Sequence, residues 1–350
     1  MLAAIIQSVA SDLRLGVLDQ SPIAEGSTGA QALRNTLDLA RRADELGYHR
    51  YWLAEHHASP MLAGTSPEAL IGPIAATTSR MRVGSGGVML PHYSPLKVSE
   101  TFSALSGLFP GRIDLGVGRT DGTDDPVTVF ALQRDRNHPA PDDFAEQLAE
   151  LLALLDDRLA PEHLFEFLPP LLPGRPERPE AWLLGSSVQS AEWAGQLGLR
   201  YAFADFINPG AGVEIVRHYR ERFVPCDRLA EPHAIVAVWA LCADSDEEAE
   251  RLAASGRMAA LVARHGKFAP VPRVDTAVRF VERRTRGLPP DHALRKRMLH
   301  GSPAALRADL EELAGGYGVG ELLVVNVAHD HAARRHSYEL LADAFSLRTA

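Results

Sequence analysis

The chain has 350 residues, 46% of them hydrophobic and 23% charged, with 36 Lys and Arg against 45 Asp and Glu, a formal net charge of -9. This is the composition of a globular protein that buries a large core. The acidic balance argues against nucleic acid or an anionic membrane as the main partner, because phosphate binding needs clustered Lys and Arg.

The opening MLAAIIQSVA lacks a basic start and a cleavable apolar stretch, so residues 1–11 read as a frayed extension. No apolar run approaches the roughly 20 residues of a membrane span. Strand patterns follow at 13–18, 50–54, 82–90, 112–117, 181–184, 200–204, 234–242 and 321–327. Helical spacing fills most of the gaps: Leu33, Leu37, Ala40 and Ala43; Val98, Phe102, Leu105 and Phe109; Val216, Tyr219 and Phe223; Tyr338, Leu341 and Phe345. Gly47 and Gly198 stand where helices end, and Ser302-Pro303 where one begins. Two stretches break the rhythm. Segment 139–179, after the fourth strand, is rich in proline and acidic residues around one helix over 144–155. Segment 265–300, after the seventh strand, is long and proline-containing, with the length of a lid. The two cysteines, Cys226 and Cys242, fit neither a disulfide framework nor a metal-ligand spacing, which suits a reducing cytoplasm.

Eight strands alternating with helices favour a closed (β/α)8 barrel in the α/β class, one domain over 1–350, above an open doubly wound sheet. In such a barrel the chemistry lies at the carboxyl ends of the strands. Those positions read Asp19-Gln20-Ser21-Pro22, Glu55-His56-His57, Gly84-Ser85-Gly86-Gly87 with Pro91-His92 beyond, Gly118-Arg119 and Gly185-Ser186-Ser187. Paired histidines at a strand end serve either acid–base chemistry or a loop hydrogen bond. Glycines inside a strand mark a bulge or the close approach of a flat ligand. Gly185, Ser186, Ser187 and Ser190 open a helix, where either a phosphate or a plain serine cap fits, and Arg119 supplies a cation for a phosphate or a salt bridge. There is no His-x-His after the first strand and no nucleotide or hydrolase fingerprint, so no metal site is expected.

Across LGVLDQSPI, GYHRYWLAEHH, RVGSGGVMLPHYSPLKVSE, LFPGRIDLGVGR, WLLGSSVQSAEWAGQLGL and HDHAARRHSYELLADAF, the chain resembles the bacterial luciferase-like flavin monooxygenases, most of all their single-subunit members. The resemblance implies a barrel that takes FMN at its carboxyl face. Arg119, Ser187 and Ser190 would hold the phosphate, Gly185 and Ser186 would add backbone contacts, and Gly86-Gly87 would lie against the ring, joined by a cis peptide. His56 would be the catalytic histidine, exchanging a proton from a pKa near neutral. It further implies reduced FMN delivered by a separate flavin reductase, O2 as co-substrate, a small organic substrate, and a homodimer. Hydride transfer with a deazaflavin, or flavin binding without turnover, are the rival readings. Two departures from the family pattern lie near the pocket: Thr120-Asp121-Gly122-Thr123-Asp124, where relatives favour Ala-Pro before the glycine, and Asp205-Phe206-Ile207-Asn208, where relatives end the strand with a histidine.

Overall fold

The computed structural model describes residues 13–120, 122–123, 125–138, 141–173, 178–285 and 298–347. The extension expected over 1–11 and the central part of the 265–300 segment, 286–297, lie outside them, as do Asp121 and Asp124.

Eight parallel strands close a barrel: β1 (Arg14–Asp19), β2 (Arg50–Leu53), β3 (Arg82–Met89), β4 (Ile113–Gly118), β5 (Glu180–Gly185), β6 (Arg200–Ala204), β7 (Ala234–Cys242) and β9 (Glu321–Val325), with β9 pairing both β7 and β1. All eight sequence patterns become strands, most of them shifted by one or two residues at an end. Parallel strands are covered on both faces, so the period-two alternation separates two apolar layers rather than core from water. On β7, Val236, Val238 and Ala240 face the helices while Ile235, Ala237 and Trp239 face the barrel interior, beside Trp52 and Ala54 of the β2 side, Trp182 of β5 and Leu323 and Val325 of β9. Helices such as Gly29–Leu46, Pro95–Leu108 and His331–Ala344 present the expected apolar stripes to the outer layer. Gly47 ends the first of these at φ 90°, the left-handed value a C-terminal glycine supplies.

One strand was not legible in the sequence. β8 (Met298–Gly301) pairs with the outer half of β7, Trp239 opposite Met298 and Cys242 opposite Gly301. It lies at the end of the segment expected to be a lid, and residues 271–285 of that segment are also packed on the barrel, whereas 265–270 are exposed. Val271 is fully buried and exchanges backbone hydrogen bonds with Ile23 and Glu25 at 2.8 Å, and helix Val274–Thr285 packs on helix Asp246–Ala263.

The amino-terminal end of the barrel is closed by charge. Asp114 accepts from Arg50 at 2.6 Å, from Arg82 at 2.6 and 2.8 Å and from the Trp52 indole at 2.8 Å, while Arg50 also binds Glu321. Arg82 and Arg200 each approach Glu180, at 3.5 and 3.6 Å. Burial disfavours the charge on Arg50, yet Asp114 and Glu321 outweigh it and raise its pKa above the ordinary guanidinium value. The outermost inward position of successive strands is thus a charged plug, and the open end is the carboxyl end.

Candidate active site

Extended backbone carries the β2 alternation past the strand. Arg50, Trp52 and Ala54 face inward, so His56 follows them toward the interior, while Glu55 turns outward to the neighbouring loop. Glu55 is fully buried and accepts from the Met89 N–H at 3.1 Å and the Tyr93 hydroxyl at 2.8 Å, and it pairs with His57 Nε2 at 2.7 Å. Its carboxylate fastens the β2 loop to the end of β3. The His57 ring then meets His92 edge-on at 5.8 Å. His56 is different: its Nδ1 is buried and has no hydrogen-bond partner among the described residues. Burial, helped by His57 alongside, pushes its pKa down to about 4. This corrects the expected near-neutral value. In the protein alone, His56 is a neutral imidazole at physiological pH.

That depressed value has a consequence for stability. The unfolded chain takes up a proton on His56 near pH 6.5 while the folded chain does not until about pH 4, so this contribution is complete above 6.5 and is lost as pH falls toward 4. It amounts to roughly 3 kcal/mol across the window. His233, also pushed down to about 4 by burial, acts equally on wild type and variant. Urea unfolding at pH 7.5, 6 and 5 is expected to give wild type a steeper pH slope than His56→Asn by about one proton; parallel curves would contradict the buried, neutral histidine.

The Gly86–Gly87 peptide is cis, as the family likeness implied. The register with β4 slips there, Gly86 opposite Gly116 and Val88 opposite Val117, so Gly87 is the extra residue of a bulge. Packing alone accounts for both glycines: a β-carbon on Gly86 would sit 2.6 Å from Leu18 Cδ1, and one on Gly87 2.8 Å from the Gly116 carbonyl oxygen. Their missing side chains therefore make room for protein, and any ligand contact would be through backbone.

At the ends of β4 and β5, exposed Arg119 lies over the Trp193 ring at 5.5 Å, and Trp193 belongs to helix Val188–Gln196, which opens with Ser187. Ser187 and Ser190 form a reciprocal capping box at 3.3 Å, and Ser190 Oγ also meets the Tyr201 hydroxyl at 3.0 Å. A β-carbon on Gly185 would collide with Ser190 Oγ, so glycine is required for β5 to run directly into this cap. The cap and the phosphate readings coexist: the serines order the turn, and the first-turn N–H groups of Val188 and Gln189 have no helical acceptor by position. Asn208, one of the departures noted in the sequence, donates to the Ser186 carbonyl at 2.9 Å and braces the same turn from β6.

Asp19 and Ser21 leave the site. Asp19 is fully buried on the helix side of β1, paired with Arg334 at 2.6 Å and bonded to Thr36, Tyr51 and the Ser21 N–H. Conversely, the alternation on β7 brings Trp239 to the mouth together with Met61, Val271 and Val327, residues that no sequence motif marked, and with Phe206 of the departure after β6. Two grooves of about 210 and 580 Å³ lie at the opposite end, beside the amino ends of β5 and β6. Their charges are paired with one another, Arg178 and Arg228 on Asp156 and Arg158 on Asp227, so the chemistry is assigned to the carboxyl mouth.

The family model for luciferase-like monooxygenases matches residues 13–319. The chain belongs to that family. It is 38% identical over 336 residues to an N-acetyl-S-alkylcysteine monooxygenase of Bacillus subtilis, covering 95% of this chain and 98% of that protein. Among solved structures, apo-MsnO8 superposes with a TM-score of 0.87 at 41% identity, covering 97% of this chain and 99% of that one. The oxygenating constituent of 3,6-diketocamphane monooxygenase of Pseudomonas putida, solved with FMN, has a TM-score of 0.68 at 22% identity over 95% and 97% of the two chains, a likeness of fold. As a member of a monooxygenase family, the chain is an oxidoreductase with a small-molecule substrate. Among its described helices none is long and apolar enough to cross a membrane.

Proposed function

We propose that this luciferase-like protein is an FMN-dependent monooxygenase that receives reduced FMN from a separate flavin reductase and oxidises a small organic substrate with O2, working as a homodimer. When bound, reduced FMN supplies the electrons that activate O2. The reading rests chiefly on one juxtaposition at the barrel mouth: a helix N-terminus beside an exposed arginine at the ends of β4 and β5, and, two strands away, a buried imidazole nitrogen without a partner among the described residues. A dianionic phosphate suits the first, because free N–H groups and a guanidinium both donate to it. In this arrangement Arg119 and the Ser187 turn bind, Gly86-Gly87 offer backbone to the ring edge, and His56 Nδ1 accepts or returns a proton at the reacting end. The apolar wall around Trp239 keeps water out.

The test is oxygen uptake and product formation with FMN kept reduced by a generic flavin reductase. S-alkylated N-acetylcysteines are the first compounds to supply, since a 38%-identical relative is named for them. Product that requires both FMN and O2 is expected. Turnover with a reduced deazaflavin in the absence of O2 would replace this reading with hydride transfer, and flavin binding without any turnover would leave a binding protein.

A further inference from the structure

The barrel mouth has two unlike halves. The side built by β2 to β5 carries the imidazole, the glycine bulge, the arginine and the helix N-terminus, whereas Phe206, Trp239 and Val327 of the β6, β7 and β9 side form an apolar cluster with Val271, which is tied to the segment after β1. That apolar cluster contains a polar atom. Trp239 Nε1 is buried and has no hydrogen-bond partner among the described residues.

Buried N–H groups in folded proteins are almost always satisfied, so an orphan calls for an explanation. The Trp182 indole in the barrel interior is also without a conventional acceptor, but it has ring neighbours set edge to face, Trp52 at 74° and His233 at 83°, an arrangement in which an N–H can meet a π face. Among the described residues Trp239 has no such edge-to-face neighbour. Its ring neighbour is Phe206, stacked nearly parallel at 21° with centroids 5.7 Å apart, which leaves the indole edge and its N–H clear of the π cloud. Stacking also orients the ring, so the donor is preorganised within an apolar cluster, where a hydrogen bond discriminates most strongly.

We infer that Trp239 is a specificity-determining residue for the organic substrate: its N–H donates a hydrogen bond to a carbonyl-type acceptor on an otherwise apolar molecule that lies on the Phe206–Trp239 shelf. This rests on the reading above in one respect, that the opposite half of the mouth holds the flavin. β7 stands across the barrel from β3, so the shelf and the Gly86-Gly87 bulge belong to opposite walls of the barrel.

The substitution Trp239→Phe keeps an aromatic ring on the shelf, removes the donor and trims the bicycle, and the lost contact area bears on both members of an isosteric probe pair alike. The probes are acetophenone and its isostere α-methylstyrene, which has a methylene in place of the carbonyl oxygen, titrated against the full chain with and without FMN. Circular dichroism and the melting temperature report that the variant is folded. Trp239→Phe is expected to weaken acetophenone about tenfold, the loss of one neutral hydrogen bond, and to leave α-methylstyrene and FMN within about twofold of wild type. Equal weakening of both probes, or of neither, would make the indole a packing group and overturn the inference. So would failure of both probes to bind wild type at millimolar concentration. A selective loss of FMN affinity with the ketone preference intact would give the N–H to the flavin. If FMN fails to bind wild type while the ketone preference still depends on the indole, the flavin reading falls and the shelf stands.

Discussion

Asp114→Ala is expected to destabilise the protein by about 3–5 kcal/mol, the cost of removing one member of a buried ion network. The carboxylate is fully buried and serves Arg50, Arg82 and the Trp52 indole together, so alanine leaves two guanidinium groups and an N–H facing a void. Against a total stability of about 5–15 kcal/mol for a typical domain, such a loss brings the chain close to unfolding. Asp114→Asn keeps one acceptor oxygen and should lose less. Urea denaturation of both variants checks the order, and a loss below about 1 kcal/mol in the alanine variant would mean that the plug is a solvated surface feature.

His56→Ala is expected to fold, to bind FMN within a few-fold of wild type, and to lose on the order of 100-fold in substrate oxidised per reduced flavin consumed, the lower end of what positioned acid–base groups contribute. The lost turnover should reappear as hydrogen peroxide. The proposed placement gives the split: the phosphate is assigned to the ends of β4 and β5, while the His56 side chain follows β2 with an Nδ1 that has no hydrogen-bond partner among the described residues, so removing it would leave an unmanaged proton rather than an empty binding site. Peroxide and product measured together distinguish this from simple inactivation. Unchanged coupling would move the proton-handling role elsewhere, with His92, edge-on to His57, the next residue to replace.

What the sequence made legible follows from how barrel strands are patterned. Runs such as Ala234–Cys242 are long, apolar and bounded, and their recurrence with helices between is enough for the architecture. β8 escaped because four residues reading Met-Leu-His-Gly have no period, and they pair only because β7 overruns the barrel rim. The charged plug was visible as Arg50, Arg82, Arg200 and Glu321 at strand starts, but a charge at a strand start normally faces water, and only closure of the barrel turns these residues toward one another. Asp19 shows the reverse error. It stands at a strand end, where catalytic groups belong, yet its parity sends it outward to Arg334. Trp239 has the parity that points inward, but the stacked Phe206 and the N–H without a partner among the described residues arise from β6 and β7 meeting in space.

The phosphate is the group that separates FMN from riboflavin. Equilibrium titration of reduced FMN and reduced riboflavin under anaerobic conditions compares ligands that differ only there, and two or three charge-assisted hydrogen bonds predict that FMN binds at least about 100-fold tighter. Arg119→Ala should remove a large share of that difference without altering riboflavin binding. Equal affinities for the two flavins, or a preference for FMN that survives loss of Arg119 and disruption of the Ser187 turn, would contradict the placement of the flavin at the ends of β4 and β5.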